Sequence, residues 1–399
     1  MEEKWQRNLY ILWIGTFIAG ASFSLVSPFL PLLLQEVGQK SNVEFWSGLI
    51  FSASFITSSI MSPIWGSLAD RFGKKPMIIR SGLGIAFTYF LMFFATQSWH
   101  ILVCRLLNGL LSGFIPSAIS LVATNTPEHR VGRSLSLIST ASNAGSVIGP
   151  LFGGLLAAAF GTRQTMLIGG SILVLATLVV LFGVHEKILK SDKPRSNILQ
   201  DLKEASFNRS LMAMLITQTM IALSLMIIQP ILTLFIGQLG VGESVATYSG
   251  IIFSLAGIAS VIAAPIWARY GEKIGFHNTL SLSLAGVAVM NLVQIFAGNV
   301  YAFAAMRFAY GLFLAGVIPA VNAIIAASVP LEFRGRAFGI SNSFSGFGGA
   351  LGPLIGGAIG TWLGIRYVFL FAAVSVVINL IWVRVVLSKN PGNDSTTVA

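Results

Sequence analysis

The chain has 399 residues, of which 55% are hydrophobic and only 10% charged, and its mean hydropathy is +0.81. Soluble globular domains carry about 25% charged residues, so this composition excludes a water-soluble enzyme, a disordered chain and a folded basic domain that binds nucleic acid. Its 41 glycines and 29 phenylalanines are typical of an integral membrane protein. The single cysteine, Cys104, provides neither an internal disulfide nor a metal cluster, and we expect no metal site.

Twelve apolar runs are long enough to cross a bilayer, which takes about 20 residues. They do not alternate as the strands of a membrane barrel do, so we predict an all-α membrane protein with twelve transmembrane helices, called spans 1 to 12. Because the first run is too long for the hydrophobic part of a signal peptide, we expect it to be retained. The spans lie at roughly 8–34, 45–69, 76–97, 100–124, 133–160, 164–184, 209–237, 245–270, 278–298, 300–326, 335–361 and 366–387.

Lysine and arginine set the expected orientation. If the N-terminus is cytoplasmic, 20 of the 25 basic residues lie in cytoplasmic segments. Three lie on the outer side, Lys40, Arg163 and Arg366, and two lie within spans, Arg105 and Arg307. Both termini are then cytoplasmic. We therefore interpret the net charge of +11 as loop charge that orients the chain, and not as a nucleic-acid surface.

The sequence is an internal repeat of two halves. With a shift of 202, Pro28 aligns with Pro230 and Arg105 with Arg307, and 12 of 29 positions are identical between 45–73 and 247–275. After one extra residue the shift is 203. We predict an N-terminal six-helix bundle at 1–184, a cytoplasmic linker at 185–208, a C-terminal six-helix bundle at 209–387 and a cytoplasmic tail at 388–399. The linker includes a predicted amphipathic surface helix at 196–208.

The loop after span 2 reads GSLADRFGKKP over residues 66–76. Its glycines permit close helix approach, and its charges suit helix ends. We interpret it as a breakable electrostatic latch; the alternative is an ordinary loop that obeys the positive-inside rule. The predicted gating residues here are Gly66, Asp70, Arg71, Gly73, Lys74 and, in a divergent second copy, Glu272.

This loop resembles the signature loop of the major facilitator superfamily, and the resemblance covers essentially the whole chain. It implies two pseudo-symmetric bundles of six helices, transport by alternating access and, as the default, a monomer. The glycine motif of span 5 is similar to that of the drug:proton antiporter branch (DHA1), whose members include bacterial multidrug exporters of the inner membrane. The corresponding predicted gating residues are Gly145, Gly149, Pro150, Gly153 and Gly154, and generic helix packing is the alternative. Span 11 repeats the motif as Gly349, Gly352, Pro353, Gly356 and Gly357, where packing is the better interpretation.

An arginine inside a span is costly and by default functional. Arg105 in span 4 resembles the family's third motif, whose arginine is linked to proton transfer or substrate charge; the alternative is a side chain that reaches the interface. The chain departs from the family in its acids, because all 14 fall at span ends or in loops. Glu36, Asp70 and Arg105 are the candidates for proton coupling, together with Glu44, Glu243 and Glu272, while solvated loop acids remain the alternative for Glu36, Glu44 and Glu243.

In this fold, spans 1, 4, 7 and 10 are expected to line a central substrate site between the halves. The expected wall is aromatic and weakly polar, which suits amphipathic molecules. Its predicted substrate-binding residues are Phe23, Ser27, Phe29, Arg105, Asn108, Ser112, Phe114, Asn143, Gln218, Gln229, Arg307, Tyr310, Phe313 and Asn342, with Asn322 and Phe344 as further candidates.

Four functions are compatible with these features. The first is export of amphipathic drugs by proton antiport, with a proton gradient and no cofactor, and with small molecules, protons and the bilayer as the only partners. The second is a carrier of a metabolite, sugar or organic anion, and the third is a lipid transporter. A membrane enzyme is disfavoured because no zinc, hydrolase or nucleotide motif is present.

Overall fold

A computed structural model describes residues 2–186, 207–330 and 333–387. Within these ranges the secondary structure is helical and contains no strand, and the helices form twelve segments that follow the predicted spans. Helix is the expected state for such apolar runs because it satisfies every backbone group internally. The segments are α1 (Glu2–Val26 and Leu30–Glu36), α2 (Val43–Phe72), α3 (Lys74–Phe93), α4 (Ser98–Leu111 and Phe114–Asn125), α5 (Glu128–Phe160), α6 (Thr162–Gly183), α7 (Arg209–Ile228 and Leu232–Gln238), α8 (Val245–Ile274), α9 (Phe276–Gln294), α10 (Val300–Leu314 and Val317–Ser328), α11 (Arg334–Trp362) and α12 (Ile365–Leu387).

Eleven of the described segments are both long and apolar enough to cross a membrane. The exception is α11, a helix of 29 residues whose first half contains several glycines and serines and two arginines. Its length is sufficient for a crossing, and its place in the repeat matches that of α5.

The chain divides into two compact units. The first comprises Met1–Lys193 and Pro230–Ser254, and the second comprises Pro194–Gln229 and Leu255–Ala399. The units follow the two sequence halves, except that the second part of α7 and the start of α8 group with the first unit. Most of the predicted linker, including 196–206 of its amphipathic helix, and the tail at 388–399 lie outside the described residues.

Four helices are interrupted, which the sequence analysis did not predict. Short 3-10 turns at Ser27–Phe29 and Gln229–Ile231 divide α1 and α7. Each turn contains a proline, Pro28 or Pro230, which lacks the N–H that a continuous helix requires. In the first unit, the Thr233 hydroxyl donates to the Pro28 carbonyl at 2.6 Å, so a side chain of α7 contacts the backbone of this turn.

Glycine ends the helices at equivalent places in both halves. Gly73 lies between α2 and α3 with a φ of 101°, and Gly275 lies between α8 and α9 with a φ of 85°. Side chains other than glycine rarely adopt such values. These turns reverse the chain within one residue.

Each unit has its own apolar core. In the first unit one cluster contains Leu30, Phe51, Tyr89 and Met92. In the second unit a cluster contains Leu284, Tyr310, Val321 and Val376. Because a membrane supplies no hydrophobic drive between helices, close packing of small residues and internal hydrogen bonds must hold these cores together.

Candidate functional site

Arg105 lies inside the first unit, on the first part of α4, and is 0% exposed. Its guanidinium carbon lies 5.9 Å from the ring centre of Phe23 and 6.0 Å from that of Phe51. Tyr89 of α3 interacts with it electrostatically and donates its hydroxyl to the Ser22 carbonyl at 3.3 Å. Arg105 therefore does not reach an interface, and the surface-reaching alternative is wrong for this structure. Phe51 and Tyr89 were not among the predicted residues.

Asn108 lies one turn beyond Arg105 and is 1% exposed. Its side-chain nitrogen donates to the hydroxyl of Thr88 on α3 at 2.8 Å. This bond links α3 to α4, and in this structure Asn108 has no exposed surface with which to contact a substrate.

The second unit contains a related cluster around Arg307, which is 9% exposed. Its guanidinium carbon lies 4.8 Å from the Tyr310 ring centre, and its Nη1 makes a long contact of 3.5 Å with Oε1 of Gln294. Asn291 on α9 is fully buried, and neither atom of its amide group has a hydrogen-bond partner among the described residues.

The two clusters contain a tyrosine and an asparagine at swapped positions. With the shift of 202, Tyr89 corresponds to Asn291 and Asn108 corresponds to Tyr310. The first unit thus places the phenol on α3 and the amide on α4, whereas the second places the amide on α9 and the phenol on α10. The arginines are equivalent in sequence, but their surroundings are not.

The predicted wall residues differ widely in exposure. Phe23 is 39% exposed, whereas Phe29, at 0%, packs with Ala157 and Ala246 inside the first unit. Asn143, Asn322 and Asn342 are exposed, Ser112, Gln218, Gln229, Phe313 and Phe344 are half-buried, and Ser27, Phe29, Arg105, Asn108, Phe114, Arg307 and Tyr310 are buried. A direct substrate contact by the buried set requires a neighbouring side chain to move, and the role of all these residues stays a prediction.

A break in α4 is bound by Arg80, an arginine that was not among the predicted wall residues. Ser112 and Gly113 interrupt the helix, and Gly113 has a φ of 129°. Arg80 of α3 donates to the Ser112 carbonyl at 3.0 Å and stacks on the Trp65 ring at 3.5 Å. The Trp65 indole donates to the Leu110 carbonyl at 2.7 Å. The carbonyls that the break leaves unpaired thus receive donors from α2 and α3.

The second unit retains only part of this arrangement. Trp267 donates to the Leu312 carbonyl at 2.7 Å, as Trp65 does to Leu110. At the position of Arg80 stands Leu282, and Gly316 keeps a helical φ of −84°. The Arg80 guanidinium is therefore found in the first unit, where the break in the helix is sharper.

The glycine motif of α5 packs this helix against α1 inside the first unit. A Cβ on Gly145 would overlap the Phe17 carbonyl, and one on Gly149 would overlap the carbonyl of Ala21. A Cβ on Gly153 would lie 2.5 Å from the Leu25 carbonyl. Gly154 faces a different helix, since its Cβ would lie 2.8 Å from the carbonyl of Ala246 at the start of α8.

In the second unit α11 packs on α7 in the same way. Added Cβ atoms on Gly348, Gly352 and Gly356 would meet the backbones of Thr219, Leu223 and Ile227. The shift of 202 relates the contacted residues of α1, which are Phe17, Ala21 and Leu25, to those of α7. The two helix pairs are therefore equivalent at each contact. The motif in span 11 was predicted to begin at Gly349, but the glycine of α11 that corresponds to Gly145 is Gly348, in agreement with the shift of 203.

The loop between α2 and α3 is bound to the end of α6. Both oxygens of Glu186 accept hydrogen bonds at 2.8 Å, from the backbone N–H groups of Lys74 and Lys75 at the start of α3. Asp70 is 3.6 Å from the Lys74 ammonium and its side chain is 70% exposed. Glu186, which sequence analysis missed, is a carboxylate at a helix N-terminus, where it is favoured.

Each acid in the described helices lies within three residues of a helix end. Glu36, the last residue of α1, is 3.7 Å from Nε of Arg163. Arg163 also donates to the Phe93 carbonyl at the end of α3. The proton carrier therefore stays unassigned by geometry. In the part of the chain that the structure describes, no three histidine, cysteine or acidic side chains come together as metal ligands.

Comparison with known proteins adds three findings. The sequence pattern of the Major Facilitator Superfamily matches residues 12–249 and, a second time, residues 214–399. The chain is 37% identical over 383 residues to proteins named Multidrug resistance protein MdtG from Salmonella dublin and Salmonella schwarzengrund. The alignments cover 95% of this chain and 95% of each relative.

Solved structures share the fold at low identity. A nucleoside transporter, NupG, aligns with a TM-score of 0.79 at 14% identity, over 96% of this chain and 98% of NupG. A bacterial homologue of the human lysosomal transporter Spinster, in an inward-facing and unoccupied conformation, aligns with a TM-score of 0.79 at 13% identity, over 97% of both chains. Identities this low establish the fold alone.

Proposed function

Because the chain belongs to the Major Facilitator Superfamily, we propose that it exports amphipathic drugs or other toxic small molecules across the bacterial cell membrane. The observation that carries the proposal is the 37% identity to multidrug resistance proteins over 95% of both chains. A multi-pass membrane protein of this family is a transporter. We place both termini in the cytoplasm because that orientation follows the distribution of basic residues.

The side chains support a cargo that is recognised mainly by shape and apolar surface. Exposed or half-exposed positions include Phe23, Phe313 and Phe344, with amides such as Asn143 and Asn342. Aromatic surfaces with few charges bind amphipathic molecules without a strict hydrogen-bond pattern.

Proton antiport is the proposed energy source, with no further cofactor and with a monomer as the working unit. Outward transport against a gradient needs a coupled downhill flow, and the chain has no nucleotide-binding motif. Glu36 and Asp70, carboxylates at helix ends, are the proposed proton carriers. We propose alternating access between two states as the transport cycle.

A second candidate, a carrier of organic anions, sugars or other metabolites, is favoured by one observation. Arg105 and Arg307 are buried within helices, while the acids of the described helices are confined to helix ends. Two interior cations favour negative cargo. Transport of a lipid is a weaker third candidate, with no specific residue in its support.

The decisive experiment is transport of ethidium, a fluorescent lipophilic cation, by purified protein in proteoliposomes with and without a pH gradient. Movement that needs the gradient, stops with an uncoupler and is weakened in Arg105→Ala supports the proton-coupled exporter. If correctly folded protein moves no ethidium under either condition, export of cationic drugs is contradicted. Organic anions and sugars are then the next cargoes to test.

A further inference from the structure

Arg105 is a buried cation whose hydrogen-bond donors are unused. The side chain is 0% exposed, and Nε, Nη1 and Nη2 have no acceptor among the described residues. A guanidinium carries five N–H donors and accepts nothing. Burying such donors unpaired costs stability, and an arginine held inside a membrane span is a functional feature by default.

The enclosure of Arg105 is aromatic, and only one of its rings reaches the exterior. Phe23 and Phe51 both lie about 6 Å from the guanidinium carbon, where a ring face attracts a cation but accepts no conventional hydrogen bond. Phe51 is 3% exposed, whereas Phe23 is 39% exposed. Of these two rings, Phe23 is therefore the one that both lies against the guanidinium and has exposed surface.

The equivalent arginine of the second unit has an acceptor of its own. Oε1 of Gln294 lies 3.5 Å from Arg307, and the residue 202 positions before Gln294 is Met92, which is fully buried and has no oxygen in its side chain. Leu225 stands at the position of Phe23. In the described part of the first unit, Arg105 therefore has no side-chain acceptor, and an aromatic ring stands where the second unit has Leu225.

The position of Phe23 on α1 favours motion of its ring. Its carbonyl accepts the Ser27 hydroxyl at 3.0 Å, and the 3-10 turn at Ser27–Phe29 follows directly. The backbone is thus tied at a helix interruption, while the side chain is partly exposed. Partly exposed side chains change rotamer in picoseconds to nanoseconds.

We propose that Phe23 is a gate over Arg105, and that an oxygen acceptor of the transported molecule, foremost a carboxylate, binds the guanidinium when the ring turns away. Charged acceptors bind guanidinium more strongly than neutral ones, through two parallel hydrogen bonds. Phe23 is a positioning residue that acts through Arg105. The inference rests on the proposed export of amphipathic molecules and specifies what one part of such a molecule contacts.

The test compares two fluorescent probes with one skeleton, 1-pyrenebutyrate and its neutral amide, binding to the purified full-length protein. Wild type is expected to prefer the carboxylate. Arg105→Gln removes the cation, and Met92→Gln supplies an internal acceptor at the position equivalent to Gln294. Each is expected to weaken carboxylate binding about tenfold relative to amide binding, the worth of one charged hydrogen bond. Met166→Gln buries the same polar group elsewhere in the core and should leave the preference intact.

The gate is read from association rates. Phe23→Ala is expected to raise the ratio of the carboxylate to the amide association rate several-fold, since loss of the aromatic surface affects both probes alike. Phe23→Leu, which copies the second unit, gives the same direction if the alanine variant is unstable. Thermal unfolding confirms that each variant is folded. No preference in wild type, or a preference that survives both Arg105→Gln and Met92→Gln, overturns the Arg105 site. An unchanged ratio of carboxylate to amide association rates in both Phe23 variants overturns the gate.

Failure of the proposed function gives a different result. If neither probe is exported by wild-type proteoliposomes but carboxylate binding depends on Arg105 and Phe23 as described, export is contradicted and the site stands. If the amide is exported and the carboxylate preference is absent, export stands and the site is contradicted.

Discussion

Gly154 of α5 and Gly250 of α8 pack backbone to backbone within the first unit. A Cβ on Gly154 would lie 3.0 Å from the Cα of Gly250, and one on Gly250 would lie 2.9 Å from the Cα of Gly154. Gly154 thus differs from the other motif glycines of α5, which contact α1. It is the position of the motif that joins α5 to a helix of the second sequence half.

Replacing Gly154 with alanine is expected to lower transport. Overpacking of this kind costs about 1–3 kcal/mol, so the rate should fall roughly tenfold if this contact forms in the cycle. The measurement is ethidium or pyrene-amide transport in proteoliposomes. Gly132→Ala, in the same helix with nothing within 4 Å of the added atom, is the control. Full activity in Gly154→Ala would show that the contact is not part of the cycle.

Gly149→Ala and Gly352→Ala are expected to destabilise the protein by similar amounts, about 1–3 kcal/mol each. The reason is that both added atoms would overlap the backbone of the partner helix, α1 or α7. Thermal unfolding in detergent measures the effect. Gly339→Ala has open space and should instead stabilise slightly, as alanine favours helix over glycine. Equal behaviour of all three variants would refute the packing role.

Arg80→Lys is expected to lower thermal stability nearly as much as Arg80→Leu. Lysine keeps the charge but loses the planar stack on Trp65 and the geometry of the bond to the Ser112 carbonyl. The loss should be about 1–2 kcal/mol. Lys75→Arg, outside the α4 break, serves as a control for charge. If Arg80→Lys behaves like wild type, the stack does not stabilise the break.

Glu186→Ala is expected to cost about 0.5–2 kcal/mol, the range for loss of a helix N-terminal acceptor. Two backbone N–H groups of α3 lose their partner, and a favourable charge leaves the helix end. Glu186→Gln, which keeps an acceptor oxygen, should lose less. Urea or thermal unfolding gives the order of the variants, and an alanine variant as stable as wild type would contradict the capping role.

Asp70→Asn is expected to slow transport sharply without reducing expression, because the latch prediction relies on its charge. In the described structure this charge is paired with Lys74, one turn away. Transport in proteoliposomes is the measurement, and Glu272→Gln tests the equivalent position in the second half. Full transport by Asp70→Asn would leave the loop with only an orienting role.

The sequence was sufficient to predict the positions of the helices and the repeat, because both are written in local patterns. Apolar runs of about 20 residues must form helices in a bilayer. The alignment of Pro28 with Pro230 and of Arg105 with Arg307 identified the two halves, and the structure places each pair in equivalent helices. The breaks at Ser27–Phe29 and Ser112–Gly113 were missed because the apolar runs continue through them.

The site was predicted less completely. Arg105 is conspicuous in the sequence because a cation within a span is rare. Glu186 and Arg80 gave no such signal, since both lie near span ends, where charges are common. Their partners are backbone groups of other helices, which no sequence pattern displays.

The sequence by itself determined that this chain is a repeated, twelve-helix membrane protein with two interior arginines and with acids only at span ends or in loops. Only the tertiary structure decided that Arg105 lies against the Phe23 ring without an acceptor among the described residues, while Arg307 lies beside Gln294. The length of an apolar run and the positions of its charges are properties of one helix, so they can be read from the sequence. Whether a donor meets an acceptor or a ring depends on which side chains three or four helices bring together, and that is decided by packing.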